Sequence, residues 1–375
     1  MKIAYLLLTN GLEYDDRIRK EMITMRSLAN VEFKIFAFHG DNHAESGVLS
    51  WGVPYEIVSL RVRGGSKGFI SMMRKEYDFY SQIKPLLKEY DLLWLCDEHA
   101  FFFTLFSNKP KIWDLHELPA KLTGTKIKNF FFHLMERRCK YLIHANPERL
   151  NYLVGQGIIK QIKKNIVLRN YPDKEWLLGK DKNPDSFSKF KEWLGGDDDY
   201  IYLQGLNDKR RCAYETLAAV LECQKIKAVV IGRVPQNIKE EIAAKYPYVD
   251  DFIYYTGQLY QYETASFISH SKFSIVFYSQ IVPNNTYCEP NRLFQCLSFG
   301  KPVIVGCNEP MKNVINRHNN GIVLKGDGRN IEENKEGIDR MILDYKNYQT
   351  NAEREKEFFS WESQSSIFKQ IFGIN

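Results

Sequence analysis

No stretch of this chain approaches the ~20 consecutive apolar residues that a membrane-spanning helix needs. The first apolar run, Ile3-Ala4-Tyr5-Leu6-Leu7-Leu8, is too short for a secretory signal and reads as a first strand. The seven cysteines are odd in number and include no Cys-x-x-Cys pair. That pattern, with most of the cysteines inside apolar runs, argues for buried, reduced thiols in a cytosol. The loop after the first strand, Thr9-Asn10-Gly11-Leu12-Glu13-Tyr14, lacks Gly-x-Gly-x-x-Gly, which argues against a dinucleotide-dependent dehydrogenase. Arg63-Gly64-Gly65-Ser66-Lys67-Gly68 lacks the P-loop spacing, and no strand leads into it, so a basic surface loop is expected there. No nucleic-acid reading motif is visible, and no nucleic acid partner is expected.

What is present is ordinary globular material. The chain has 375 residues, 44% apolar and 26% charged, a length that suits two domains. Its charge of +6 is unevenly held. Residues 1–170 carry 26 Lys and Arg against 18 Asp and Glu, whereas the remainder carries 26 against 28. The first half is therefore the one expected to meet something anionic. Strands are read at 2–8, 31–38, 92–95, 111–117, 141–145 and 166–168, then at 200–204, 228–231, 253–255, 273–278 and 303–305. Helical patterns lie between them, as in doubly wound α/β sheets. Residues 179–199 read as a loose linker, and Ala352–Phe372 as one final helix.

In such sheets ligands sit beyond the carboxyl ends of the strands. The strongest candidate is Glu289-Pro290-Asn291-Arg292-Leu293-Phe294-Gln295, a short helix that runs by way of Gly300-Lys301-Pro302 into Val303-Ile304-Val305. Its start offers free N–H groups and a positive dipole end, a site for phosphate. Arg292 adds a cation, and Gln295 one turn on can bond a polar group attached to the phosphate. The alternative is an ordinary αβ unit whose polar face (Asn291, Gln295, Ser298) is merely wet. Gly205 opens a basic loop with Arg210 and Arg211, while Gly232 and Tyr278 close the neighbouring strand edges. In the first half, His116 and Glu117 end the strand read at 111–117, where chemistry is placed. No Cys or second His recurs at ligand spacing, so no metal is expected. Lys121–Lys140 carries six Lys and Arg against one Glu around Phe130-Phe131-Phe132. It reads either as a helix on an anionic bilayer, through Lys126, Lys128, Arg137 and Arg138, or as a domain helix with core aromatics.

These elements resemble the retaining glycosyltransferases of family 4. Pro-Asn-Arg-Leu-Phe-Gln followed by Gly-Lys-Pro-Val-Ile is similar to that family's donor-binding signature, with Gln295 where the family has a Glu. The second family Glu falls on Tyr287, and Glu289 is out of register. Asp114-Leu115-His116-Glu117 resembles the Asp-x-His-Glu element, and Asp16-Arg17 the Asp-x-Arg opening. Phe359-Ser360-Trp361-Glu362 resembles the terminal helix. The resemblance implies a GT-B fold: two Rossmann-like domains facing each other across a cleft. Residues 1–172 would be the acceptor domain and 173–350 the nucleotide-sugar domain, with 351–375 crossing back. It implies metal-independent, retaining transfer of a hexose from a UDP- or GDP-linked donor to a glycan or lipid-linked hydroxyl, with no cofactor. His116 and Glu117 would be catalytic, and Gly11, Asp16 and Arg17 would lie on the acceptor side. Gly205, Arg210, Arg211, Gly232, Tyr278, Glu289, Asn291, Arg292, Leu293 and Gln295 would bind the donor. Such an enzyme would be cytoplasmic, on the inner face of the plasma membrane, in cell-surface polysaccharide or glycolipid synthesis. Because Gln295 and Tyr287 replace the acidic pair, a non-catalytic nucleotide-sugar-binding subunit stands as one rival. A sugar-nucleotide epimerase is another.

Overall fold

The computed structural model describes residues 1–9, 11–62, 68–182, 184–196 and 199–374. Of the basic loop read at Arg63–Gly68, residues 63–67 lie outside them. Two compact units divide the chain: Met1–Arg169 with Gln364–Asn375, and Asn170–Ser363.

The first unit is built on eight strands: β1 (Lys2–Thr9), β2 (Glu32–His39), β3 (Glu45–Val48), β4 (Pro54–Ile57), β5 (Leu92–Cys96), β6 (Lys111–Leu115), β7 (Tyr141–His144) and β8 (Asn165–Val167). Their order is β3-β4-β2-β1-β5-β6-β7-β8, parallel except for the β3–β4 pair. β5 and β6 are buried along their whole length, as strands covered on both faces must be. Every residue of β3 is exposed, so this edge strand carries no apolar alternation and was not legible as a strand. The helices that matter below are α1 (Asp16–Leu28), α2 (Phe69–Ile83), α3 (Phe101–Phe106) and α4 (Lys126–Arg138). None of the described helices is long and apolar enough to cross a membrane.

The second unit has six parallel strands: β9 (Tyr200–Gln204), β10 (Lys227–Ile231), β11 (Ile253–Gly257), β12 (Phe273–Val276), β13 (Val303–Val305) and β14 (Gly321–Val323), ordered β11-β10-β9-β12-β13-β14. Two expectations are corrected here. The supposed linker contains a helix, α5 (Asp185–Leu194), which begins after Pro184 and ends at Gly195 in a left-handed conformation. Phe187, Phe190 and Leu194 recur at helical spacing and bury completely among Tyr200 and Phe267. The supposed final helix is interrupted. A helix at Tyr345–Glu355 gives way to two short 3-10 turns before Ser365–Phe372. Phe359 and Trp361 are both buried, and two residues of one continuous helix point about 200° apart. Ser360 turns extended between them, and the Trp361 N–H donates to Pro172 O at 2.9 Å.

Helices α6 (Ala213–Cys223) and α7 (Asn291–Ser298) complete the elements around the site below. Residues 292–298 of α7 are all buried, Gln295 and Ser298 included, so the helix is not the half-wet one its pattern suggests.

Phe190 makes an edge-on contact with Tyr200 at 4.7 Å and lies 5.6 Å from Phe267. Phe190→Ala should therefore destabilise the second unit by about 3–5 kcal/mol. Denaturant unfolding checks this, with exposed Lys189→Ala within about 0.5 kcal/mol of the parent.

Candidate functional site

In each sheet the strand order reverses direction at one place: between β1 and β5 in the first unit, and between β9 and β12 in the second. Doubly wound sheets bind ligands at this switch point.

In the second unit the switch point is held by Arg292. Its guanidinium donates to Gln204 O, to Gly205 O at 3.2 Å and to Phe277 O at 3.0 Å, tying the carboxyl ends of β9 and β12 together. The residue is 6% exposed, and its Nε has no hydrogen-bond partner among the described residues. Arg211 donates to the same Gly205 O at 3.0 Å. Both guanidiniums lie over the Tyr278 ring, at 5.1 Å for Arg292 and 5.4 Å for Arg211. Burial lowers the Arg292 pKa, and the neighbouring Arg211 charge lowers it further. Among the described residues neither arginine forms an ion pair with a carboxylate. Two cations that form no carboxylate ion pair, beside a helix start, make an anion site.

Gly205 is required where it stands. Its φ is +71°, and a Cβ there would lie 2.6 Å from Arg211 Nη1 and 3.0 Å from Arg292 Nη1.

Several assignments shift on this geometry. Arg210 turns away to Asp208, at 2.7 Å on the surface, so Arg211 is the loop cation that joins Arg292. Pro290 is the cap of α7, and the Leu293 N–H donates to Pro290 O at 3.0 Å. That leaves the N–H groups of Asn291 and Arg292, not Leu293, at the open helix start. The Leu293 side chain belongs to the core. Asn291 Oδ1 accepts from Asn170 at 3.0 Å. Gly232 donates to Gly257 O at 2.8 Å. Glu289 is half-buried, two residues ahead of the helix.

In the first unit a buried arginine also marks the switch point, with the opposite electrostatics. Arg17 pairs with Asp114 at 2.8 Å and Glu21 at 3.1 Å and donates to Leu168 O at 3.0 Å. Asp16 and Arg17, expected on the acceptor side, are both engaged by charges of their own unit. Arg17 is 5% exposed and committed inward, and Asp16 pairs with Arg19 and Lys20 on α1. Gly11 stays on the loop into α1, where its N–H donates to Thr9 Oγ1 at 3.0 Å.

His116 sits between two carboxylates. One ring nitrogen is 3.0 Å from Asp114 and the other 3.5 Å from Asp97. Asp97 also accepts from the backbone N–H groups of His116 and Glu117, at 2.9 and 3.3 Å, while the Glu117 side chain is exposed. Burial opposes charge on His116, but Asp97 and Asp114 outweigh it and push the imidazole up to about 10. Burial likewise opposes the Asp114 carboxylate, but Arg17 and His116 hold it well below the ordinary range. His116 is thus a fixed cation, about one-fifth of its side chain exposed, rather than a base. Glu21, Asp114 and His116 have ligand atoms within 4.8 Å of one another, a spacing that could hold a cation. The Arg17 guanidinium already bonds both carboxylates.

Neither a protein-family model nor a curated protein matches the chain in sequence. Solved structures match it in fold. The complex of Anabaena HepE (Alr3699) with UDP superposes with a TM-score of 0.73 over the whole of both chains, at 12% identity. Sucrose-phosphate synthase from Thermosynechococcus elongatus does so with a TM-score of 0.74, at 14% identity, again over both chains entire. WaaG, a glycosyltransferase involved in lipopolysaccharide biosynthesis, gives 0.66 at 13% identity, covering 98% of this chain and 99% of its own. The chain has the GT-B fold.

Within this GT-B chain, sequence reading missed the partners of His116. Asp114 lies two residues earlier on the same strand, so the period of a strand alone puts both side chains on one face. Asp97 carried no such signal, because it enters through a left-handed turn (φ 55°) after β5.

A raised imidazole pKa means that the folded state binds the proton more tightly than the unfolded one. The resulting stabilisation is full below about pH 6.5 and is lost only as pH rises through the folded value. Imidazole nitrogen NMR should accordingly find His116 doubly protonated at pH 8. A titration midpoint between pH 6 and 7 would contradict the clamp.

Proposed function

We propose that this protein is a glycosyltransferase that moves a hexose from a UDP- or GDP-linked donor to an acceptor hydroxyl, with retention. The observation that carries this reading is the pair of guanidiniums at Gly205, unmatched by any carboxylate among the described residues, beside the open start of α7. The leaving group of such a transfer is a nucleoside diphosphate. Its developing charge is stabilised best by donors already fixed in place. Arg211, Arg292 and the N–H groups of Asn291 and Arg292 supply that charge stabilisation without calling on a metal ion. The solved neighbours lend support, since HepE is described with UDP and with UDP-glucose. His116, a cation at a strand tip, serves the transferred hexose, and Asp114 and Asp97 hold its ring. The setting proposed is cytoplasmic and peripheral to the plasma membrane, in cell-surface polysaccharide or glycolipid synthesis, with a glycan or lipid-linked acceptor.

A second reading, a non-catalytic nucleotide-sugar-binding subunit, is favoured by one observation. A buried, neutral Gln295 and a half-buried Tyr287 stand where the resemblance asks for two carboxylates.

Mass spectrometry after incubation with a panel of UDP- and GDP-sugars, with water as acceptor, separates these readings. Release of hexose with the nucleoside diphosphate supports transfer, whereas an isomerised donor signifies epimerisation. Binding without any product leaves the subunit reading. Arg211→Ala should weaken nucleoside-diphosphate binding by roughly 1–3 kcal/mol with little change in melting temperature. Arg292→Ala should lose both, because the strand-end carbonyls of Gln204 and Phe277 lose their guanidinium donor. His116→Ala should lose turnover and keep donor affinity.

A further inference from the structure

Helices α2, α3 and α4 pack side by side on the first unit and form one surface with two properties that do not normally coincide. Its large apolar side chains point outward: Ile70 is 69% exposed, Ile127 72%, Phe130 64%, Phe106 61% and Tyr77 58%. The rings among them, Tyr77, Phe106 and Phe130, are linked through Phe101, Phe102 and Phe131, with Phe101 meeting Phe102 at 5.3 Å. Tyr77 meets Phe102 at 5.2 Å, Phe102 stacks on Phe106 at 5.9 Å, and Phe101 bridges to Phe131, which touches Phe130 at 5.6 Å. Only Phe132 of the Phe130–Phe132 run belongs to the core, 4.9 Å from Trp113, so the sequence reading of all three as one group is corrected.

The charges on these helices are sorted by sign. All three carboxylates, Glu76, Asp78 and Glu136, are buried. Each accepts backbone N–H groups beneath the surface: Glu76 from Phe102 at 2.9 Å, Asp78 from Val62 at 3.1 Å and Glu136 from Gln161 at 2.7 Å. Every fully exposed charge on the three helices is a cation: Arg74, Lys126, Arg137 and Arg138. Lys128, half-exposed, lies over the Phe69 ring at 5.4 Å and links α4 to α2. At one edge a shallow pocket of about 280 Å³ opens beside Phe106. Tyr80 and Leu87 line it, together with Lys84, Lys88 and Lys109, and no carboxylate does.

We propose that this α2–α4 face docks on an anionic phospholipid bilayer, with Ile127, Phe130 and Phe106 entering the interface and the Lys84–Lys88–Lys109 pocket taking a phosphate headgroup. Exposed aromatics on helices whose exposed charges are all cationic fit a surface that is apolar below and anionic at its headgroups. A second copy of the chain fits poorly, since two such faces would repel. The proposal rests on the glycosyltransferase reading only for what would be made at that surface; docking itself needs no donor.

Cosedimentation with vesicles rich in phosphatidylglycerol, against vesicles of phosphatidylcholine alone, is the test. The wild-type chain should bind the anionic vesicles and be released by salt. Phe106→Ser with Phe130→Ser, and separately Lys126→Glu with Lys128→Glu, should each lower binding at least roughly tenfold, on the scale set by the loss of two or more surface contacts. UDP-induced stabilisation should be unchanged in all variants, so a failure of donor binding cannot be mistaken for a failure of docking. Lys84→Ser with Lys88→Ser and Lys109→Ser should reduce binding to phosphatidylglycerol and leave the residual salt-independent part intact. Failure of the wild type to bind anionic vesicles at low salt overturns the proposal. So does equal binding by the paired variants, or equally tight binding to duplex DNA that the same variants abolish.

Discussion

A guanidinium that ties three backbone carbonyls together while meeting no carboxylate is the constraint on which the second unit depends. Arg292 cannot leave without freeing the ends of β9 and β12, because Gln204, Gly205 and Phe277 share it as donor. It cannot be neutralised in place either, since the nearest charge is another guanidinium, Arg211. Backbone carbonyls give it hydrogen bonds but no countercharge. The fold therefore stores an unmet demand for an anion at its switch point. Gly205 lets the two cations come that close.

The first unit solves the same geometric problem with the opposite result. Arg17 is equally buried at the other switch point, yet the Asp114 carboxylate pairs with it, while burial and the Asp114 charge push the neighbouring Glu21 carboxyl well above the usual range. A second cation, His116, is held between Asp97 and Asp114 and is partly open to solvent. One unit thus offers an unpaired pair of arginines suited to a diphosphate. The other offers a single imidazolium, oriented by carboxylates, suited to a hydroxyl-rich partner. This division of labour follows from which side chains follow the strands, since the two sheets share their doubly wound plan.

Much of the fold could be read from the chain because buried parallel strands announce themselves as continuous apolar runs, as at β5, β9 and β13. The edge strand β3 could not, because an exposed edge needs no apolar pattern. α5 was passed over because Lys, Asp and Ser fill its outer face, although Phe187, Phe190 and Leu194 carry its inner one. At the site, sequence pointed to the right loops and in places to the wrong atoms. Arg210 and Arg211 are adjacent in the chain, and only the path through Cys212, at a left-handed φ of 51°, decides which turns toward Arg292. Sequence pattern does not encode that choice, nor the 3-10 bond that occupies the Leu293 N–H. The acceptor-side reading of Arg17 comes from the resemblance of Asp16-Arg17 to an Asp-x-Arg opening, which says nothing of where the side chain turns. Its carboxylate partner on β6 is 97 residues away.

The most direct test of this account is a structure of the chain with UDP bound. The account predicts that the diphosphate oxygens lie within about 3.2 Å of the Arg211 guanidinium and of the N–H groups of Asn291 and Arg292, the ordinary range for such bonds. A diphosphate bound elsewhere, with Arg211 still engaged only by Gly205, would contradict it.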